Sequence, residues 1–360
     1  MALKAHIPAR LVGRGMGALL VLVVLTLLAG TAYQYLENRR DLRENPAPGQ
    51  LVDVGGHRLH LWCIGAGSPL VLLEAGGGGN VLEWSRVQPE VAKTTRVCSY
   101  DRAGLGWSEL GPNPRAAAQI VRELHTLLQT AQVPGPYVLT GHSAGGLFVR
   151  LYASTYPADI VGMVLVDSTH EDFHQRMPPV ADASGGSPLL SLLLLNLNKL
   201  VTVVGWARVT AAPLRAPGLN PETIRLAEQV RLRTAVPFAD GAESLALDES
   251  MRQVKEARRI LNIPLVVVTR GRYDGLRRLP ADTQERIKRA WQDMQADLVR
   301  LSPQATQVVA VNSEHYVHLE QPDVVNEAVR TVVAKVRLNA TAGTKEAQLS
   351  TTVDSNVARH

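Results

Sequence analysis

Ser143 stands between two glycines in Gly141-His142-Ser143-Ala144-Gly145. The apolar run Tyr137–Thr140 before it reads as a strand, and Gly146–Ala153 after it has helical character. A serine at a strand-to-helix junction fits the nucleophile elbow G-x-S-x-G. The turn is so tight that the serine takes a strained backbone and its Oγ stands clear of the sheet. Side chains at Gly141 and Gly145 would collide with that turn. The helix that follows points its positive end at the reacting oxygen. The chemistry prepared is nucleophilic attack by a hydroxyl.

Such a hydroxyl needs a base, and the base needs an orienting carboxylate. Of the ten histidines, His315 in Asn312-Ser313-Glu314-His315-Tyr316 is best placed, just past the last expected strand. His318 reads as a structural residue that ties the loop down. His142 adjoins the nucleophile, but adjacent side chains at such a turn diverge. His57, His60, His125, His170 and His174 read as surface or cap residues. The acid should follow a late strand, and Asp274 in Thr269–Gly275 is the expected one. Asp167, on the strand just after the elbow, is the alternative acid; its plainer reading is a loop-anchoring carboxylate. Ser143, Asp274 and His315 give the order Ser…Asp…His. The oxyanion donors are expected at the backbone of Ala144 and of Gly77, within Gly76-Gly77-Gly78-Gly79. No Lys-Ser/Thr follows these glycines, so a phosphate loop is disfavoured. The chemistry calls for no metal and no cofactor.

The elements that must position these groups follow in order. Strands are expected at Leu51–Val54, Arg58–Cys63, Pro69–Glu74, Arg96–Tyr100, Tyr137–Thr140, Val161–Val166, Pro264–Thr269 and Gln307–Val311. Several are continuous apolar runs, as in strands buried on both faces. Helices are expected over Asn80–Lys93, from an Asn113 cap with Pro114 as first residue, near Asp248–Leu261, over the stretch holding Ile287 to Leu301, and from Pro322. Two opening strands and then β-α units predict an α/β fold with a mostly parallel sheet and helices on both faces. Reactive groups in such sheets gather at the carboxyl ends of strands. Residues 51–168 and 247–337 form this core. Between them, 169–246 breaks the alternation and reads as a helical cap. Its apolar patch Leu189–Leu195 reads as a packed cap helix, or as a lipophilic, membrane-facing entrance. Residues 338–360 read as a disordered tail.

The chain has 360 residues and a formal charge of +5, with an excess of three positive charges in the first 44 residues. The remainder is close to neutral, so no basic face for nucleic acid is implied. After the basic segment 1–15, residues 16–33 are uncharged and mostly apolar, long enough for a transmembrane helix at about 17–25 residues. A signal peptide cleaved near Gly30-Thr31-Ala32 is the competing reading. The polar stretch 34–50 reads as a juxtamembrane linker. The domain is therefore expected to be membrane-anchored through 16–33 on the extracytoplasmic side, or secreted after cleavage. Cys63 and Cys98 fall on the second and fourth strands. If those strands are neighbours the pair could form a disulfide; otherwise they are two reduced core thiols.

Together, EAGGGGN (74–80), YDRAGLGWS (100–108), GHSAGG (141–146), VLVDS (164–168), RGRYDG (270–275) and EHYVHLEQPDVV (314–325) resemble the α/β-hydrolase superfamily, in its serine esterase and prolyl-iminopeptidase-like branch. The resemblance covers roughly 51–337. It implies an eight-stranded sheet with one antiparallel strand and a cap after the sixth strand. In that order the second and fourth strands are neighbours, which supports a Cys63–Cys98 pairing. It also makes Asp101 and Arg102 structural residues beside the site. Similar epoxide hydrolases and haloalkane dehalogenases carry aspartate where this chain has Ser143. Two departures are Ala75-Gly76 in place of His-Gly, and Glu314 in place of the Gly before the histidine.

The function expected is hydrolysis of a carboxylic ester, a small-molecule acyl substrate, through an acyl-enzyme. Amide or peptide cleavage of the prolyl-iminopeptidase type is the enzymatic alternative, and a non-catalytic hydrolase-like binding module the alternative outside catalysis. The sequence does not give the oligomeric state.

Overall fold

A computed structural model describes residues 9–178, 188–214 and 218–357. The strands are β1 (Gln50–Asp53), β2 (Arg58–Ile64), β3 (Leu70–Glu74), β4 (Val97–Tyr100), β5 (Tyr137–His142), β6 (Ile160–Val166), β7 (Leu265–Arg270) and β8 (Ala305–Ala310). They form one sheet in the order β1-β2-β4-β3-β5-β6-β7-β8. Only β2 runs against its neighbours; all other pairs are parallel.

The helices are α1 (Ala9–Glu44), α2 (Gln88–Ala92), α3 (Ala117–Thr130), α4 (Gly145–Thr155), α5 (Phe173–Arg176), α6 (Pro188–Val203), α7 (Trp206–Thr210), α8 (Pro221–Arg231), α9 (Val236–Leu245), α10 (Leu247–Glu256), α11 (Ala281–Val299), α12 (Val317–Glu320) and α13 (Pro322–Val357). Successive strand residues alternate between two cores. Leu139, Leu165 and Val267 join one with α3, α4 and α10. Val138, Val164 and Val266 join the other with α2 and α13. Both faces are covered, which is why these strands read as unbroken apolar runs.

The register sets Cys63 opposite Cys98 on β2 and β4, and a disulfide joins them. Described residues within 169–246 form helices only, α5 to α9, over the carboxyl ends of the strands; 179–187 and 215–217 lie outside the described residues.

Several expectations are corrected. Residues 34–44 are not a linker but the last turns of α1, because their polar side chains find partners on the cap. Residues 338–357 continue α13 instead of forming a disordered tail; no proline interrupts this stretch. The helix after Asn113 begins at Ala117, since Ala116 is extended and Arg115 turns inward onto Glu123 at 2.6 and 2.8 Å. The stretch 80–93 splits into a short 3-10 turn, Val81–Trp84, and α2. Pro89 disfavours helical backbone just before it.

Candidate active site

Ser143 follows β5 with φ 51°, a left-handed conformation rare for a side-chain-bearing residue. The glycines around it make this turn possible. A Cβ on Gly141 would sit 2.7 Å from the carbonyl of Gly145, and one on Gly145 would sit 2.5 Å from the carbonyl of Ala75. Both obstacles are backbone and cannot yield. α4 begins two residues after Ser143, so its amino end faces the hydroxyl.

His315 lies in the loop between β8 and α12. Its Nε2 is 3.0 Å from Ser143 Oγ. Its Nδ1 is 2.6 Å from Asp167 Oδ2. Asp167 directly follows β6 with φ 41°, is completely buried, and accepts on Oδ1 from Trp291 Nε1 at 2.8 Å and Arg270 N at 3.2 Å. These donors fix the carboxylate on the ring.

The expected acid, Asp274, does not back His315. It sits in a 3-10 turn, paired with the guanidinium of Arg272 and with Arg277 at 2.8 Å. Its loop is tied down by Gly275 N donating to Glu314 Oε1 at 2.9 Å. Two basic neighbours engage this carboxylate outside the site. The alternative acid, Asp167, takes the place beside the imidazole, and the order Ser…Asp…His is kept.

The glycine loop after β3 abuts the elbow. A Cβ on Gly76 would lie 2.9 Å from His142 Nδ1 and 3.4 Å from Ser143 Cβ; one on Gly77 would be 3.8 Å from Ala144 Cβ. Among the described residues, no protein acceptor takes the N–H of Gly77 or of Ala144. Arg102 braces this loop: buried, it donates to the carbonyls of Ala75 (2.9 Å) and Gly76 (2.6 Å) and pairs with Glu74 and with Glu243 of α9, each at 2.7 Å. Asp101 holds His60 Nδ1 at 2.7 Å and the amides of Val81 and Trp107. Both residues are structural, as the resemblance implied.

Sequence reasoning missed a buried group behind the elbow. His142, His318 and Glu83 present ligand-type atoms within 4.8 Å of one another. His142 Nε2 lies 3.0 Å from the His315 carbonyl, which can only accept, so the ring proton is on Nε2 and Nδ1 is a bare lone pair. That Nδ1, both nitrogens of His318 and Glu83 Oε2 have no hydrogen-bond partner. Burial keeps both imidazoles neutral, lowering His318 to about 3, and raises Glu83 to about 7. Zinc ligands sit about 3.3 Å apart around a tetrahedral ion with bonds of about 2.0–2.1 Å. The separation between His318 Nε2 and Glu83 Oε2 is 3.8 Å, beyond hydrogen-bond reach. The group joins the glycine loop, the elbow and the histidine loop. A signal was present in His142 and His318, each a short step from a reacting residue.

A cavity of about 290 Å³ opens beside the glycine loop, lined by Gly78, Leu82, Leu214, Leu219 and Tyr316 among others. Leu214, Leu219 and Ala227 of the cap and Leu82, Tyr316 and Leu319 of the core share its apolar wall.

A serine on a strained turn, a histidine and a buried aspartate thus gather at the carboxyl ends of β5, β6 and β8 on a doubly flanked sheet. The chain belongs to the alpha/beta hydrolase family, whose model matches residues 70–328. It is 30% identical over 331 residues to a probable transporter, efuK, of Hormonema carpetanum; the match covers 83% of this chain and 45% of that relative, so the chain spans less than half of that relative's length. Its fold is similar to the epoxide hydrolase CorEH (TM-score 0.57, 19% identity, 80% of this chain and 98% of that one). It is equally similar to an esterase from Thermogutta terrifontis (TM-score 0.56, 22% identity, 80% and 98%).

Proposed function

We propose that this chain is a serine hydrolase that cleaves carboxylic esters through an acyl-enzyme. One observation carries the reading: the line from Ser143 Oγ to His315 Nε2 at 3.0 Å, and from Nδ1 to Asp167 Oδ2 at 2.6 Å. As Oγ attacks the acyl carbon, its proton passes to Nε2. The imidazolium so formed is stabilised through Nδ1–H by the Asp167 carboxylate. The carbonyl oxygen, now negative, is received by the free amides of Ala144 and Gly77. Nε2–H then protonates the leaving alkoxide. Water attacks the acyl-serine, His315 takes its proton, and Ser143 is restored.

The substrate is a small or lipophilic ester with one arm in the Leu82–Leu214–Leu219 cavity. α1 is the one described helix long and apolar enough to cross a membrane, and we place the hydrolase part on the extracytoplasmic side, where the Cys63–Cys98 bridge persists. Protease treatment of intact cells tests that side; cytoplasmic exposure contradicts it.

Labelling by a fluorophosphonate probe, lost in Ser143→Ala, tests the chemistry. An unlabelled, folded wild type sinks the reading and leaves a hydrolase-like binding module.

One observation favours amidase activity toward amine-bearing substrates. Asp240 of α9 lies against Gly78, where an added Cβ would come 2.5 Å from its Oδ1. Among the described residues its carboxylate has no hydrogen bond or ion pair, and burial raises its pKa. Parallel assays of p-nitrophenyl esters and amino-acid anilides separate the two.

A further inference from the structure

α1 has two unlike halves. From Met16 to Tyr33 its side chains are mostly apolar and exposed. From Gln34 onward most are polar, and Gln34, Asn38 and Asp41 are fastened to the cap. Gln34 Nε2 donates to the Leu232 carbonyl at 2.8 Å, and Arg208 of α7 donates to Gln34 Oε1 (2.8 Å), Asn38 Oδ1 (3.0 Å) and Asp41 Oδ2 (2.7 Å). The guanidinium and Asp41 are both nearly buried.

The contact extends into the apolar half. A Cβ on Gly30 would strike the Val204 carbonyl, and one on Gly205 would lie 2.9 Å from the Gly30 carbonyl and 3.0 Å from the Tyr33 ring. Backbone therefore meets backbone at Gly30. Residues 16–33 rise about 27 Å at about 1.5 Å each, close to the thickness of a hydrocarbon core of about 30 Å. If α1 spans a bilayer, the apolar segment ends near Tyr33, and Gly30 lies roughly one helical turn inside that edge. The turn between α6 and α7 is held at the same depth.

The residues leading into and out of that turn match. α6 exposes Leu193 (62%), Leu194, Leu197 and Leu200, and α7 exposes Trp206 and Val209 (71%). Water disfavours such a face, and a contiguous exposed apolar patch marks an interaction surface. α6 is too short to cross a membrane, but its leucine face suits an in-plane helix, and an indole suits the headgroup level.

We propose that α6, with Trp206 and Val209, is embedded in the leaflet from which α1 emerges, so that the cap rests on lipid and the site draws amphiphilic substrates from the bilayer. The inference rests on α1 crossing a membrane, and the occupant of this face is a lipid surface.

The test uses the full chain reconstituted in phosphatidylcholine vesicles. No free cysteine competes, because Cys63 and Cys98 are bonded to each other. Leu197→Cys and Arg300→Cys are each labelled with an environment-sensitive fluorophore; Arg300 is exposed near the amino end of β8, away from the cap. Strong quenching by doxyl-lipid at 197 and none at 300 is expected. In addition, Leu193→Lys combined with Leu197→Lys should lower kcat/KM on a vesicle-borne ester while leaving a water-soluble ester unchanged. Failure to float with the vesicles overturns the anchor, and the docking with it. Floatation with a probe at 197 that is quenched only from water overturns the docking alone. Disulfide cross-linking of Leu197→Cys between protomers, without lipid quenching, assigns the face to a second copy and overturns it as well.

Discussion

Asp167 Oδ2 lies 2.6 Å from His315 Nδ1, and the indole of Trp291 holds the other carboxylate oxygen at 2.8 Å. The two contacts fix the acid of the proposed triad at the end of β6. Asp167→Asn should cut kcat on a p-nitrophenyl ester by about 10⁴, the scale expected when the histidine loses its orienting carboxylate. Asp274→Asn should leave kcat nearly unchanged. The reverse pattern would reject the assignment.

Glycine is required at elbow position 145 and dispensable at position 275. Gly145→Ala places a methyl 2.5 Å from one carbonyl oxygen and 2.7 Å from another, whereas Gly275→Ala meets nothing within 4 Å. The first should cost about 1–3 kcal/mol of stability and most of the activity. The second should be close to neutral. Thermal melts and initial rates on both variants decide it.

The bridge between Cys63 and Cys98 closes a loop across 35 positions. Cys63→Ser should lower unfolding free energy by about 2–4 kcal/mol, read from urea curves. Reductant should shift the wild type in the same direction and leave the variant where it is. Equal midpoints with and without reductant would contradict this.

The carboxyl of Glu83 is raised to about 7, chiefly by burial, against the opposing pull of Arg102 and the Gly76 amide. About a fifth of the side chain still meets solvent, which moderates the effect. A raised folded-state pKa stabilises below the unfolded value and loses that contribution as pH climbs through the folded one. Stability should therefore fall between roughly pH 4.5 and 7. Glu83→Gln should flatten that slope, and Glu74, also raised to about 7 by burial, should keep it from vanishing. Melting temperatures measured across this range, identical in slope for wild type and variant, would count against the account.

The sheet was legible because strands covered on both faces must be apolar throughout, as Leu70–Glu74 and Ile160–Val166 nearly are. Ser143 was legible because its turn demands glycine on both sides, and His315 because it lies in the loop just past the last strand. The acid was harder. Asp167 and Asp274 both follow the carboxyl ends of neighbouring strands, and sequence does not say which side chain turns inward. That is decided by a positive φ at 167 and by Trp291, 124 positions away. Residues 34–44 misled for a related reason. Their polarity resembles that of a solvated linker, yet it answers Arg208 and Thr234, which lie far along the chain.

That union of α1 with the cap bears on how a water-soluble form could be cut. Starting at Leu51 would discard Gln34, Asn38 and Asp41 and strand the Arg208 guanidinium in a nearly closed pocket, loosening the roof over the site. Starting near Ala32 would shed the greasy rod while keeping its polar stump as a splint.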